Sequence, residues 1–177
     1  MRCIICTHLS FETICKKCRE RFLVPKVEYE IKDGLQIIYF YRYDDIATLL
    51  KTKHTPIGYR VFHTLAKELF KKIKIPYTLL PIDYHIAHGY NHSAIIAKHA
   101  GKNVQYGALQ ATNKVSYSGK TLRFRKQNPR GFIYKGKGLQ RAVLVDDIYT
   151  TATTLNEAKR VLAKHGVETV FAITLAH

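Results

Sequence analysis

The stretch Val143-Leu144-Val145-Asp146-Asp147-Ile148-Tyr149-Thr150-Thr151-Ala152-Thr153-Thr154 constrains the fold of this chain more than any other. Three apolar residues, two of them β-branched, run straight into two adjacent carboxylates. Such a run reads as a buried strand ending at a solvent-facing edge. The hydroxyl-rich loop after it leads into residues 154–165, which have helical spacing and stop at Gly166. Residues 167–175 are apolar again and read as the next strand. Strand, loop, helix and strand in this order predict an α/β fold, a parallel sheet with helices on both faces. Ligands in such sheets bind beyond the carboxyl ends of the strands. A loop entering a helix offers unpaired backbone N–H groups and the positive end of the helix dipole, which together cradle phosphate. Threonine hydroxyls add donors, and Asp146 and Asp147 can accept hydrogen bonds from sugar hydroxyls. The segment therefore reads as a clamp for a ribose 5-phosphate. The plainer alternative is an N-capped helix after a buried strand, with two ordinary turn carboxylates.

The rest of the chain fits around this unit. Residues 27–32 alternate, Asp33-Gly34 offers a tight turn, and residues 35–41 continue as a strand, so a hairpin is expected. Residues 46–50 and 61–73 carry helical spacing, with Leu65, Leu69 and Ile73 four apart and Pro76 closing the second helix. Residues 77–82 read as a short buried strand, and residues 93–98 as a helix stopped at Gly101. Residues 103–140, rich in Gly, Lys, Arg and Tyr, predict loops and short strands. A chain of 177 residues holds one α/β domain and a small appendage. The boundary falls at Pro25, giving units 1–25 and 26–177.

All four cysteines lie in the first unit as Cys3-x2-Cys6 and Cys15-x2-Cys18, eight residues apart. Each CxxC turn sets two thiolates on one side of a loop, and two such turns complete a tetrahedral site that suits structural Zn2+. His8 could replace one ligand. The alternatives are two disulfides or free thiols, but about 25 residues cannot build a core unaided, so some cross-link is needed. The N-terminus lacks the marks of a secretory signal, and no apolar run of about 18 residues exists to span a membrane. A cytoplasmic location with reduced thiols is the expectation, which favours zinc. Arg2, Lys16, Lys17, Arg19 and Arg21 surround the site. They suit either contact with nucleic acid or a module that braces its neighbour.

Charge points to a polyanionic partner. Lys and Arg number 29 against 13 Asp and Glu, a net charge of +16. Between Tyr84 and Val145 there is no acid at all, while 11 Lys and Arg are interleaved with Tyr117, Phe124, Phe132 and Tyr134. Cations along a backbone with aromatics for base stacking suit single-stranded nucleic acid. Arg123, Arg125, Lys126 and Arg130 are the first candidates to touch it, with Lys135 and Lys137 beside them. The alternative is a solvated face and a core of aromatics. Gly131-x4-Gly136-Lys137 has the spacing of a nucleotide-triphosphatase loop, but Gly138 stands where Ser or Thr must bind magnesium and no helix follows.

The segment from Val143 to Thr154 resembles the phosphoribosyl pyrophosphate loop of type I phosphoribosyltransferases. By that resemblance Asp146 and Asp147 hold the ribose hydroxyls, and Thr150, Thr151, Ala152, Thr153 and Thr154 hold the 5-phosphate. The family has glycine where Ala152 stands. The likeness extends to the ComF family. Leu79-Leu80-Pro81-Ile82-Asp83-Tyr84-His85 and His88-Gly89-Tyr90-Asn91-His92-Ser93 resemble its strand end and following box. Arg125-Lys126-Gln127-Asn128 with Phe132 and Leu49-Leu50-Lys51-Thr52-Lys53 match further segments, as do the four cysteines. His88 replaces the usual Arg, His92 the usual Gln and Ile82 a Val. The resemblance implies that Pro81, Ile82, Asp83 and His88 face the pyrophosphate, with Mg2+ accompanying the ligand. A histidine there is a weaker and pH-dependent anion contact. It further implies a role in DNA uptake during natural transformation (competence), with single-stranded DNA as partner and room for other competence proteins. The alternative function is a catalytically active phosphoribosyltransferase of nucleotide or amine metabolism. The residues name no acceptor pocket and leave open whether transfer occurs.

Overall fold

The computed structural model describes residues 1–83, 89–115, 117 and 119–177, and in it the apolar run ahead of Asp146 lies inside a sheet. A cysteine knuckle and a short helix, α1 (Lys16–Phe22), lead into a hairpin of β1 (Glu28–Lys32) and β2 (Leu35–Tyr39). Helices α2 (Tyr43–Leu50) and α3 (Gly58–Leu69) flank a 3-10 turn, Lys51–His54. Then come β3 (Thr78–Pro81), α4 (His92–Ala100), β4 (Leu109–Ala111), α5 (Leu122–Gln127) and β5 (Phe132–Tyr134). The chain continues through β6 (Arg141–Ile148), α6 (Thr153–Lys164) and β7 (Glu168–Ala176). The main sheet has the order β1-β2-β7-β6-β3. β2, β7, β6 and β3 are parallel, and β1 runs antiparallel to β2 at the edge.

The hairpin turns where expected. Asp33 and Gly34 both have positive φ, 51° and 68°, the backbone of a two-residue turn whose twist matches the strands. β6 is buried from Ala142 to Asp147 because both faces of the sheet are covered. On one face Val143 and Val145 belong to one apolar core with Phe62 and Leu65 of α3 and Ile96 of α4. On the other, Ala142 and Leu144 belong to one apolar core with Leu155, Ala158 and Leu162 of α6 and with Leu109 and Phe132 of the small β4–β5 sheet. The expected α/β architecture with helices on both faces is present.

Two boundaries differ from expectation. The helix expected over residues 61–73 spans Gly58–Leu69. Phe70 leaves the helix and packs edge-on to Phe40 at 5.7 Å. Beyond it the lysines at 71, 72 and 74 are solvated, and Ile73 is 48% exposed, so no core face remains to hold a further turn. At the other end Gly58 abuts the Tyr90 hydroxyl and the Thr52 carbonyl, where a Cβ would fall within 2.2 Å of both. Within the segment expected to hold only loops and short strands, α5 forms because Thr121 caps it, accepting from Phe124 N–H at 3.2 Å. No described helix is long and apolar enough to cross a membrane.

Candidate functional site

The carboxyl end of β6 delivers both aspartates into a cleft of about 620 Å³. The strand runs three residues past Val145, so Asp146 and Asp147 are strand residues rather than turn residues, 2% and 5% exposed. Each is held by partners the sequence did not announce. Ser93 of α4 donates to Asp146 Oδ1 at 3.1 Å, and the Asp147 N–H donates to the same oxygen at 2.8 Å. Lys53 from the turn after α2 donates to Asp147 Oδ2 at 3.2 Å, and the Ile148 N–H donates to Oδ1 at 2.9 Å. Burial alone would push Asp147 upward. The Lys53 ammonium, the nearby His92 and these hydrogen bonds outweigh it and hold the carboxyl below its usual range. Asp147 in turn raises Lys53.

The threonine loop enters α6 through Ala152, whose φ of 54° and ψ of 8° lie in the left-handed region. That conformation costs an L-residue about 1–2 kcal/mol. Ala152 is the N-cap, no side chain caps the helix, and the first turn carries no acid. The leading amides of a 12-residue helix therefore face the cleft without a cap of their own. Thr150, Thr151, Thr153 and Thr154 line the same space, and Thr151 Oγ1 lies 2.9 Å from Thr153 Oγ1. This geometry suits a phosphate, with the dipole and hydroxyls on one side and the aspartates beside them.

A third wall comes from the segment around α5. Tyr117 is buried, and Arg130 lies over its ring at 4.3 Å. Arg125 donates to the Tyr117 carbonyl at 3.1 Å and also to Thr150 Oγ1 in the phosphate loop. This wall is anchored from behind by Glu157 of α6. Its carboxylate accepts from the Arg130 N–H at 3.0 Å and the Gly131 N–H at 2.7 Å. Replacing Glu157 by Ala strands two half-buried N–H groups; full burial would cost roughly 1–3 kcal/mol each, and their partial exposure reduces that to about 1 kcal/mol each. A fall in melting temperature of about 5 °C or more follows at roughly 2–4 °C per kcal/mol for a chain of this size. Glu157→Gln, which keeps one acceptor oxygen, should lose less. Equal melting temperatures for wild type and Glu157→Ala would show that the clamp holds nothing.

The expected site residues fall into groups. Asp146, Asp147 and Thr150 to Thr154 converge on the cleft. Pro81 ends β3 and Ile82 is fully buried in the core, so neither side chain reaches the cleft lining. Asp83 accepts from Asn91 Nδ2 at 2.5 Å. Burial raises its carboxyl against the lowering pull of the Gly107 N–H. His88, like Tyr84 and His85, lies outside the described residues. Of the basic candidates, Arg125 and Arg130 turn inward to the cleft, while Arg123 and Lys126 are exposed on α5. Lys135 donates to Gln110 at 2.9 Å, and Lys137 is exposed. Lys53, Ser93, Tyr117 and Glu157 were not singled out as site residues by sequence reasoning. Lys53 and Ser93 lie in segments that carry the family resemblance and Tyr117 among the aromatics of the basic stretch, whereas Glu157 carried no signal.

The cysteine sulfurs of Cys3, Cys6, Cys15 and Cys18 all lie within 4.8 Å of one another and are unbridged. Cys6 and Cys15 stand 3.7 Å apart, the edge of a sulfur tetrahedron around a centre about 2.3 Å from each. These four could hold a metal ion, and the donor set fits zinc. Burial opposes ionisation of Cys3, but N–H groups of Cys15, Cys6 and Ile5 bring it down to about 6. Burial and the neighbouring thiols push Cys18 up to about 12. A divalent cation at the centre removes that conflict. His8 faces the Cys6 carbonyl at 3.1 Å and is not among the four.

A family model described as phosphoribosyl transferase domain matches residues 53–177. The match begins at Lys53, so the hairpin and the cysteine module precede it. No curated protein matches. Among solved structures the chain is similar to adenine phosphoribosyltransferase from Leishmania tarentolae. The identity is 14% and the TM-score 0.37, over 78% of this chain and 76% of that one.

Proposed function

Because this chain belongs to the phosphoribosyl transferase domain family, we propose that its cleft binds phosphoribosyl pyrophosphate through the aspartate pair and the threonine loop. The observation that carries this reading is the entry to α6, a helix with Ala152 as N-cap, no side-chain cap and no acid in its first turn. Ser, Thr, Asp or Asn at that position would satisfy the amides internally. A 5-phosphate satisfies them instead, and Asp146 and Asp147 accept from the ribose hydroxyls. Asp146 and Asp147 are the only acids among the described lining residues, and Lys53, Ser93 and backbone amides already engage them. Magnesium would thus arrive on the ligand's own oxygens, and the chemistry it would supply is charge neutralisation of the pyrophosphate leaving group. If transfer occurs, an acceptor nitrogen bonds to C1 of the ribose as the bond from C1 to the pyrophosphate oxygen breaks. The protein's share is alignment and charge.

A second reading adds single-stranded DNA, in keeping with the ComF likeness and a cytoplasmic role in DNA uptake. The supporting observation is the exposed set Lys114, Lys120, Arg123 and Lys126 around the α5 segment, with Lys120 over the Phe124 ring at 5.3 Å. The cysteine module, with zinc as its proposed metal, adds further cations. Calorimetric titration with magnesium phosphoribosyl pyrophosphate should give saturable binding at one site per chain. Heat indistinguishable from dilution sinks the first reading. Pyrophosphate release with a panel of bases and amines separates a transferase from a binder. For DNA, a labelled single strand and its duplex are titrated across a salt series. Strand-selective binding with a steep log–log slope supports several phosphate contacts, and binding lost at modest salt removes the second reading.

A further inference from the structure

We propose that β1 is a self-pairing edge through which two copies of this chain join their sheets. β1 is the outermost strand, paired with β2 through five consecutive residues with no bulge and no proline. No described strand pairs its other side. A two-residue turn makes Lys32 and Leu35 a hydrogen-bonded pair, so Glu28, Glu30 and Lys32 spend their backbone groups on β2. The N–H and C=O groups of Tyr29 and Ile31 then point outward. Natural edges are normally blunted by proline, a bulge or inward charge. Here the residues whose backbone faces outward are apolar, and the half-buried carboxylate of Glu30 is neutralised within the chain by Lys32 at 2.8 Å. Val27, Tyr29 and Ile31 lie on one face at 65%, 64% and 67% exposure, beside the half-buried Ile38 of β2.

Charge selects a second copy as the occupant. The chain carries +16, yet residues 26–33 hold two lysines against Glu28, Glu30 and Asp33. This stretch does not repel a copy of itself. Antiparallel pairing about a two-fold axis at Ile31 sets Ile31 against Ile31 and brings the Glu30–Lys32 ion pair of each chain, 2.8 Å within the chain, against the Lys32 and Glu30 of the other. A register centred on Glu30 would oppose Glu30 with Glu30. One centred on Tyr29 would oppose Lys26 with Lys32 and Glu28 with Glu30. Among axes within β1, only the Ile31 register is free of like-charge pairs, which directly opposed are destabilising. The parallel strands of the two copies then run in opposite directions, so the clefts open at opposite edges of a ten-stranded sheet. Pairing leaves both clefts accessible, and this inference does not depend on what they bind.

Sedimentation velocity over a concentration series tests the pairing, with the metal-loaded full chain. Wild type should shift toward twice the chain mass as concentration rises. Ile31→Lys should stay at the mass of one chain with an unchanged melting temperature, because the residue touches solvent in the free chain. Glu30→Lys and Lys32→Glu should each weaken association several-fold, and the double swap should restore it. Ile31→Cys should form a disulfide-linked pair under mild oxidation, whereas Gln36→Cys, one strand inward, should not. A single-chain mass for wild type at every concentration overturns the proposal. So does a dimer that survives Ile31→Lys, and failure of the double swap to restore pairing overturns the register.

Discussion

Replacing Asp146 and Asp147 together by Asn should lower the affinity for phosphoribosyl pyrophosphate by about 10²–10⁴-fold, measured by calorimetric titration. Each carboxylate is expected to accept a ribose hydroxyl, and hydrogen bonds to charged acceptors contribute roughly 1.5–3 kcal/mol apiece. Two lost bonds give about 3–6 kcal/mol, which is the stated range. Unchanged affinity in the double variant would remove the clamp assignment. The single variants separate binding from folding. Asn at 146 retains an Oδ1 that can accept from Ser93 and from the Asp147 N–H, so the fold should survive. Asn at 147 leaves Lys53, with 29% of its side chain exposed, facing a neutral group. Full burial of such a broken pair costs about 3–5 kcal/mol, and the partial exposure of Lys53 reduces that to roughly 1–3 kcal/mol. Asp147→Asn should therefore melt several degrees lower, and Asp147→Asn with Lys53→Met should recover part of the loss.

Acid sensitivity follows from the same pair. The folded Asp147 sits below its ordinary value of 3.8, so its contribution to stability is present above that value. The contribution fades as pH falls through the depressed folded value. In wild type, stability should decline below about pH 4. In Asp147→Asn that part of the decline should be missing. Urea midpoints measured from pH 7 down to pH 3 give the comparison.

The aspartate–threonine segment was legible because its signal is local. A strand buried on both faces is apolar without alternation, and two carboxylates at its end stand out against it. The cysteine spacing is local in the same sense. What the sequence hid depends on distant partners. Lys53 meets Asp147 from 94 residues away, and Glu157 meets Arg130 and Gly131 from 27 and 26 residues away. Arg125 and Arg130 read as part of an outward basic face because spacing within a loop says nothing about which way a guanidinium turns. Tyr117 and the contact to Thr150 turn them inward. The end of α3 was misplaced for a related reason. Four-residue spacing continues to Ile73, but the core beneath it stops at Phe70.

Changing Cys15 and Cys18 to Ser should release the metal, and the loss should reach well beyond residues 1–25. Cys3, Ile14, Cys18 and Leu23 are each no more than 3% exposed and belong to the same apolar core as Phe62, Leu65 and Phe70. Arg19 ties the module down a second time. It pairs with Glu12 of the knuckle and with Glu68 of α3 at 3.1 Å. A structural zinc supplies roughly 10–16 kcal/mol of apparent binding energy to fingers that are unfolded without it. Only part of that is transmitted to the domain. Exposing Ile14 and Leu23 removes about 1.5–3 kcal/mol each. At roughly 2–4 °C per kcal/mol the melting temperature should fall on the order of 10 °C. Metal analysis should give one zinc per chain in wild type and in His8→Ala, and none in the double serine variant, whose first 25 residues should become cleavable by protease. Full metal content in that variant would refute the four-sulfur site. Loss of metal with an unchanged melting temperature would mean that the knuckle is held by Ile14, Leu23 and Arg19 alone.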